Sequence, residues 1–183
     1  MNLPLPRDKG DLSLEELLMT RNSIREFLDV PITLSQLSQI LWASCGRGRN
    51  GRTIPSAGAR YPIRVYAVAM RVDDLVSGVY RYEPHTLVWV RDIIDGFGYY
   101  AALAYVVIAV DYSVSVARYG KRGYLYSQME VGHAAQNVTL QALALGLGSV
   151  VVGGFRHGRV KQQLNLSDDP LSIVCIGTGI SHQ

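Results

Sequence analysis

The stretch TIPSAGARYPIRVYAV, residues 53–68, decides how the chain is read. It opens on Pro55 and crosses three small residues, Ser56, Ala57 and Gly58. Arg60, Tyr61 and Pro62 follow. Ile63, Val65 and Ala67 then alternate with Arg64 and Tyr66, the period of a strand. Two readings of the corner compete. Small residues before a strand make a turn. They also leave backbone bare, so that a flat body can lie against it.

Working outward, SLEELLMTRNSIREF places Leu14, Leu17, Leu18 and Ile24 near helical spacing. Ser13 is its cap, Glu15 and Glu16 suit its first turn, and it frays near Asn22. TLSQLSQILWASCGRG predicts a second helix, with Leu34, Leu37, Ile40 and Leu41 as its stripe. Thr33 or Ser35 caps it and Gly46 stops it. GVYRYEPHTLVWVR predicts a hairpin turning at Glu83-Pro84-His85, and AYVVIAVDY a buried strand. DGFGYYAAL starts at most a short helix. After a basic, tyrosine-rich tract, a long helix is expected from about Tyr126 to Leu145, closed by Gly146 and Gly148. Its Gly132, Ala134, Ala135, Ala142 and Ala144 suit close packing on another helix, within the chain or across a subunit boundary. SVVVGGF is a strand ending in two glycines, RVKQQLNL a short helix, and SIVCIGTGI the last strand. The order lacks strict strand–helix alternation. It predicts one α+β domain, residues 1–183, rather than a doubly wound sheet.

The 183 residues are 48% hydrophobic, enough for a core, and carry a net charge of +3. That excess allows an anionic ligand without requiring nucleic acid. No secretory pattern is present, and the most apolar run falls short of the roughly 18 residues of a membrane span. Cys45 and Cys175 are expected as buried free thiols. A cytoplasmic protein follows.

Three regions combine open backbone with charge: Arg21, Ser23 and Arg25 in RNSIR, Ser56 and Gly58 in PSAG, and Gly153 and Gly154 in VVVGGF. Arginine forks with hydroxyl or amide donors suit a phosphate. Small residues around bare amides suit the edge of a planar ring. Each region has a plainer reading: a solvated helix face for Arg21 and Arg25, and turns for the other two. Walker and Rossmann glycine patterns are absent. His85, His133, His157 and His182 have no metal-ligand spacing, and no G-x-S-x-G elbow supports a triad. GRGRNGR lacks an aromatic platform for RNA.

Taken together, TRNSIREF, RTIPSAGARYPIRVY, GVYRYEPHTL, the run from YGKRGYLYSQMEVGHAAQNVTLQALALGLGS to VVVGGF, and CIGTGI resemble the FMN-dependent nitroreductase family. They are most similar to the branch whose members oxidise azolines in ribosomally made peptides. The resemblance implies a central mixed, mainly antiparallel sheet flanked by helices, in an intertwined homodimer with two FMN sites at the interface. It matches Arg21, Asn22 and Ser23 to the phosphate and ribityl ligands, and Arg25 to the basic residue near the flavin N1–C2 edge. Pro55, Ser56, Ala57 and Gly58 match a segment that one subunit packs near the other's flavin. Val152, Gly153 and Gly154 match the strand end whose amides approach N5 and O4.

The activity so implied is ping-pong hydride transfer from NAD(P)H through flavin N5 to a flat, electron-poor acceptor such as a nitroaromatic or quinone. No catalytic side chain and no metal are expected, because the cofactor carries the chemistry. An azoline-type peptide dehydrogenase working with a partner, and a flavin-binding module without turnover, are the alternatives. Arg60 and Arg64 depart from the family pattern and suggest a reshaped pocket or an anionic substrate. In the tail, only His182 is available where many relatives place a basic phosphate ligand; either phosphate binding is weaker, or Arg156 or Arg159 substitutes.

Overall fold

The computed structural model describes residues 1–93 and 97–179. In chain order the elements are α1 (Leu14–Thr20), β1 (Phe27–Leu28), α2 (Leu34–Cys45), β2 (Arg47–Gly48), β3 (Gly51–Arg52), β4 (Ile63–Ala69), β5 (Gly78–Glu83), β6 (Thr86–Arg91), β7 (Ala104–Val110), α3 (Tyr112–Tyr119), α4 (Arg122–Ala144), β8 (Gly148–Val152), α5 (His157–Gln163) and β9 (Asp169–Gly179). The main sheet runs β6–β5–β4–β7–β9, and β1 and β8 share the outer edge of β9. Every ladder in it is antiparallel, and parallel pairing among the described residues is confined to the single bridge Ile32–Val72.

All of β7 is buried. A strand apolar at both parities needs cover on both faces. On one face α2 and α4 set Leu37, Ile40, Leu41, Ala134 and Val138 against Val65, Ala67, Val106, Ile108 and Val174. On the other, Val160 of α5, Leu164 at its C-cap and Phe97 cover Tyr66, Val68, Tyr105, Val107 and Ile173. Cys45 and Cys175 are free and buried. No helix among the described residues is long and apolar enough to cross a membrane.

Ser13 and Thr33 cap α1 and α2 through reciprocal capping boxes with Glu16 and Gln36, and Gly46 ends α2. The hairpin turns tightly, with Glu83 paired to Thr86. Three expectations change. Helix α1 ends at Thr20, earlier than expected, so Arg21 and Arg25 do not share a helical face. The tyrosine-rich tract is helical: α3 starts on Asp111, whose carboxylate accepts the Ser113 N–H, a cap legible in the sequence. Helix α4 begins at Arg122 rather than Tyr126, behind Lys121, which makes no side-chain cap. Its start therefore carries no sequence signal. Residues 97–103 of the segment expected to begin a short helix contain none, and residues 95 and 96 lie outside the described residues. So do Ile180 and His182.

The small-residue face of α4 divides. Ala134, Ala135 and Ala142 are buried within the chain, whereas Gly132 is exposed with nothing near its missing Cβ. Gly123 is the close-contact glycine: a Cβ there would meet the backbone of Ser115 and Val116 at 2.6–2.8 Å. Ser127 ties the same crossing, its hydroxyl donating to the Ser115 hydroxyl of α3 at 3.0 Å. Gly123→Ala should therefore destabilise by about 1–3 kcal/mol through overpacking. Gly132→Ala should stabilise by roughly 0.5–1 kcal/mol through helix propensity. Urea midpoints of the two variants check the pair, and equal shifts would contradict the α3–α4 contact.

Candidate functional site

The site begins at the sheet edge that β8 and β1 share. After α1 closes, with the Arg21 N–H on the Leu17 carbonyl, the chain turns onto this edge. The Ile24 N–H donates to the Ser149 carbonyl at 2.9 Å. The Ile24 side chain lies over Gly148 and Gly179, where a Cβ would meet it at 2.8 and 2.9 Å. Arg21 is half-buried, and Asn22, Ser23 and Arg25 are exposed. Arg25 reaches back to the Ser23 carbonyl at 3.4 Å. Residues 21–25, which carry a hydroxyl and two guanidinium groups, thus run beside the first half of β8.

From Ser149 the strand runs to Val152, roughly 10 Å at strand rise, and into Gly153 and Gly154. Both glycines are exposed, neither has positive φ, and a Cβ on either would meet nothing within 4 Å. Nothing among the described residues requires glycine there or covers the two positions. A cavity of about 280 Å³ opens beside Gly154, lined by Tyr99, Phe155, Arg156 and Arg159. Arg156 and Arg159 therefore stand at the Val152 end of the edge, away from Arg21.

The third region lies elsewhere. The Pro55–Gly58 corner leads into β4, which β7 and β9 separate from β8. One chain brings Arg21, Asn22, Ser23 and Arg25 onto the same edge as Val152, Gly153 and Gly154, and leaves Pro55, Ser56, Ala57 and Gly58 apart. The corner is strained: a 3-10 turn spans Ala57–Ala59, and while Gly58 takes φ +57° freely, Ala59 at +53° and Tyr61 at +50° do not. The Ser56 hydroxyl clasps it, accepting the Tyr61 N–H at 2.8 Å. The Tyr119 hydroxyl fills the space over Gly58, 2.3 Å from where a Cβ would stand.

Beneath the corner lies Glu130 of α4, which sequence reasoning missed. A lone glutamate in a long helix reads as solvated. Its signal was spacing: Ser127 and Ala134, three before and four after, share its buried face. Glu130 is 2% exposed and bonds the Ser56 hydroxyl and the Ile63 backbone, while its Oε1 has no partner. Burial raises its carboxyl from 4.5 to about 6, against the pull of those two hydrogen bonds and the Arg52 charge. No group of three or more His, Cys, Asp or Glu residues among those described could hold a metal.

Residues 18–178 match the family model described as the Nitroreductase family. A Methanocaldococcus jannaschii protein assigned by name to the nitroreductases is 38% identical over 194 aligned positions, covering 98% of each chain. A Ralstonia eutropha crystal structure assigned likewise aligns with TM-score 0.85 and 31% identity, over 99% of this chain and 90% of that one. A chain of the E. coli microcin synthetase McbBCD complex with truncated pro-MccB17 bound aligns with TM-score 0.77, over 98% of this chain and 77% of its own. At 22% identity that likeness is one of fold. The chain belongs to the nitroreductase family, whose members are typically flavin-dependent.

Because the folded state holds the Glu130 proton more tightly, stability contributed by protonated Glu130 is lost as pH rises from about 4.5 to 6. Over that window the wild type should lose on the order of 2 kcal/mol that Glu130→Gln does not lose. Urea unfolding across the window checks this, and parallel pH profiles would contradict it.

Proposed function

We propose that the chain is an FMN-dependent oxidoreductase, acting as a homodimer in the cytoplasm. The observation that carries this reading is the β8 edge: residues bearing guanidinium and hydroxyl groups at one end, and glycine backbone that no described residue covers at the other. These residues fit a long ligand with an anionic end and a flat end. Arg21 and Ser23 would hold the phosphate, with Asn22 beside the ribityl chain. Arg25 would set a fixed positive charge beside the N1–C2 edge. The Gly153 and Gly154 amides would donate toward N5 and O4, with Val152 beneath the ring. Bound FMN would supply hydride acceptance and delivery at N5, in a ping-pong cycle from NAD(P)H to a flat, electron-poor acceptor such as a nitroaromatic or quinone.

The corner completes the site only from a second copy. Pro55, Ser56, Ala57 and Gly58 would then wall the partner's ring. The chain leaves apolar surface for such a partner. Helix α1 buries none of its residues, with Leu14, Leu18 and Met19 exposed. Helix α4 exposes Tyr124, Leu125 and Met129, the last beside Pro55 and Ala57. The free, buried cysteines suit a reducing compartment.

The microcin synthetase neighbour supports a second reading, oxidation of an azoline in a peptide beside a cyclising partner. Peptide oxidation that appears only when such a partner is present would favour it. Tight FMN binding without reduction by NADH or NADPH would instead favour a module without turnover.

Arg21→Ala should weaken FMN binding about tenfold or more, as expected for loss of a charge-assisted phosphate contact. Titration followed by flavin fluorescence checks this, and unchanged affinity would remove Arg21 from the site. Met129→Glu should shift the protein from dimer to monomer in sedimentation and lower FMN retention with it. A dimer that persists unchanged would exclude this face.

A further inference from the structure

Strands β4 and β5 part company at one end. Their ladder runs from Ala69–Gly78 to Tyr66–Arg81 and stops there. Beyond it, Ile63, Arg64 and Val65 pair with β7, and Tyr82 and Glu83 pair with β6. The sheet is split between them. A cavity of about 420 Å³ occupies the split, lined by these residues together with Arg52, Tyr61, Tyr66 and Arg81. None of Arg21–Arg25, Pro55–Gly58 or Val152–Gly154 lines it.

Three arginines and three carboxylates face this cleft, and most are already engaged. Arg81 pairs with Glu83 at 2.7 Å. The Tyr66 hydroxyl donates to Asp168 at 2.9 Å. Asp111 caps α3 and stands 3.8 Å from Arg64. Arg52 differs. It donates to the Cys45 carbonyl at 2.9 Å and lies 5.0 Å over the centre of the Tyr61 ring. No carboxylate among the described residues is within 4 Å of it. Arg64 spends its Nη1 on the Tyr61 and Ile63 carbonyls and keeps only the long contact to Asp111. Arg52 feels the Glu130 carboxyl but makes no close ion pair with it. A half-buried guanidinium without a close ion pair, held on an aromatic ring in a tyrosine-walled cavity, is suited to an external anion.

We infer that the split between β4 and β5 is a second binding site, separate from the β8 edge, for a small flat carboxylate held by Arg52 and Arg64. The carboxylate takes the fork of Arg52, with Arg64 beside it. The flat body lies among Tyr61, Tyr66 and Tyr82. The sheet tolerates the split because each open strand keeps its ladder on the outer side. This inference does not depend on the flavin reading.

Benzoate is the probe, titrated into the purified protein by calorimetry, with benzyl alcohol as its uncharged counterpart. Saturable one-site binding of benzoate is expected, with benzyl alcohol giving none. Arg52→Gln should weaken benzoate about tenfold, the loss of one charge-assisted pair. Arg64→Gln, which leaves the Arg52–Cys45 contact intact, should weaken it severalfold and guards against a folding defect in the first variant. No saturable heat, equal affinity for benzyl alcohol, or wild-type affinity in both variants would overturn the assignment. Loss of binding in Arg21→Ala with retention in Arg52→Gln would overturn it too, placing benzoate on the β8 edge. FMN binding measured in the same variants separates this outcome from the fate of the flavin reading.

Discussion

A single close approach organises the β8 edge. Ile24 lies flat on Gly148 and Gly179, and its N–H is spent on the Ser149 carbonyl. Any side chain at either glycine would lift it off. With Ile24 seated, Phe27 and Leu28 continue the edge as β1, and the residues before Ile24 are held beside β8. Two arginines and a serine on an otherwise exposed connection thereby acquire a fixed position relative to a strand end roughly 10 Å away. That distance, rather than any single side chain, makes the edge suited to an elongated ligand.

The corner at Pro55–Gly58 obeys a different constraint. It is strained at Ala59 and Tyr61, and strain persists only where surrounding structure over-determines it. Here the surroundings are Ser56 on the Tyr61 amide, Tyr119 over Gly58, and the buried Glu130 below. The turn reading holds at Gly58. Gly58 is small because a tyrosine of the same chain covers it. Pro55 is exposed beside Met129 on an apolar face of α4.

Much of this was legible beforehand. The buried strand at Ala104–Val110, the capped helix at Leu34–Cys45 and the hairpin around Pro84 follow from period, caps and turn residues. So does the location of open backbone at Gly153 and Gly154. What escaped reading has physical reasons. Helix α4 starts without a side-chain cap, so its first turn sends no signal. Strand β1 has two residues, too few for a period. Glu130 and Arg52 gain their character from elements brought together by the fold, which local sequence does not encode. The separation of the corner from the β8 edge follows from strand order, which no local pattern reveals.

The visible absorption spectrum of the protein, mixed with FMN and then desalted, bears most directly on the β8 edge as a flavin cradle. A retained flavin band in stoichiometric amount is the predicted result. A colourless protein that is folded and dimeric would contradict it, leaving the open glycines and the paired arginines without the ligand they are assigned.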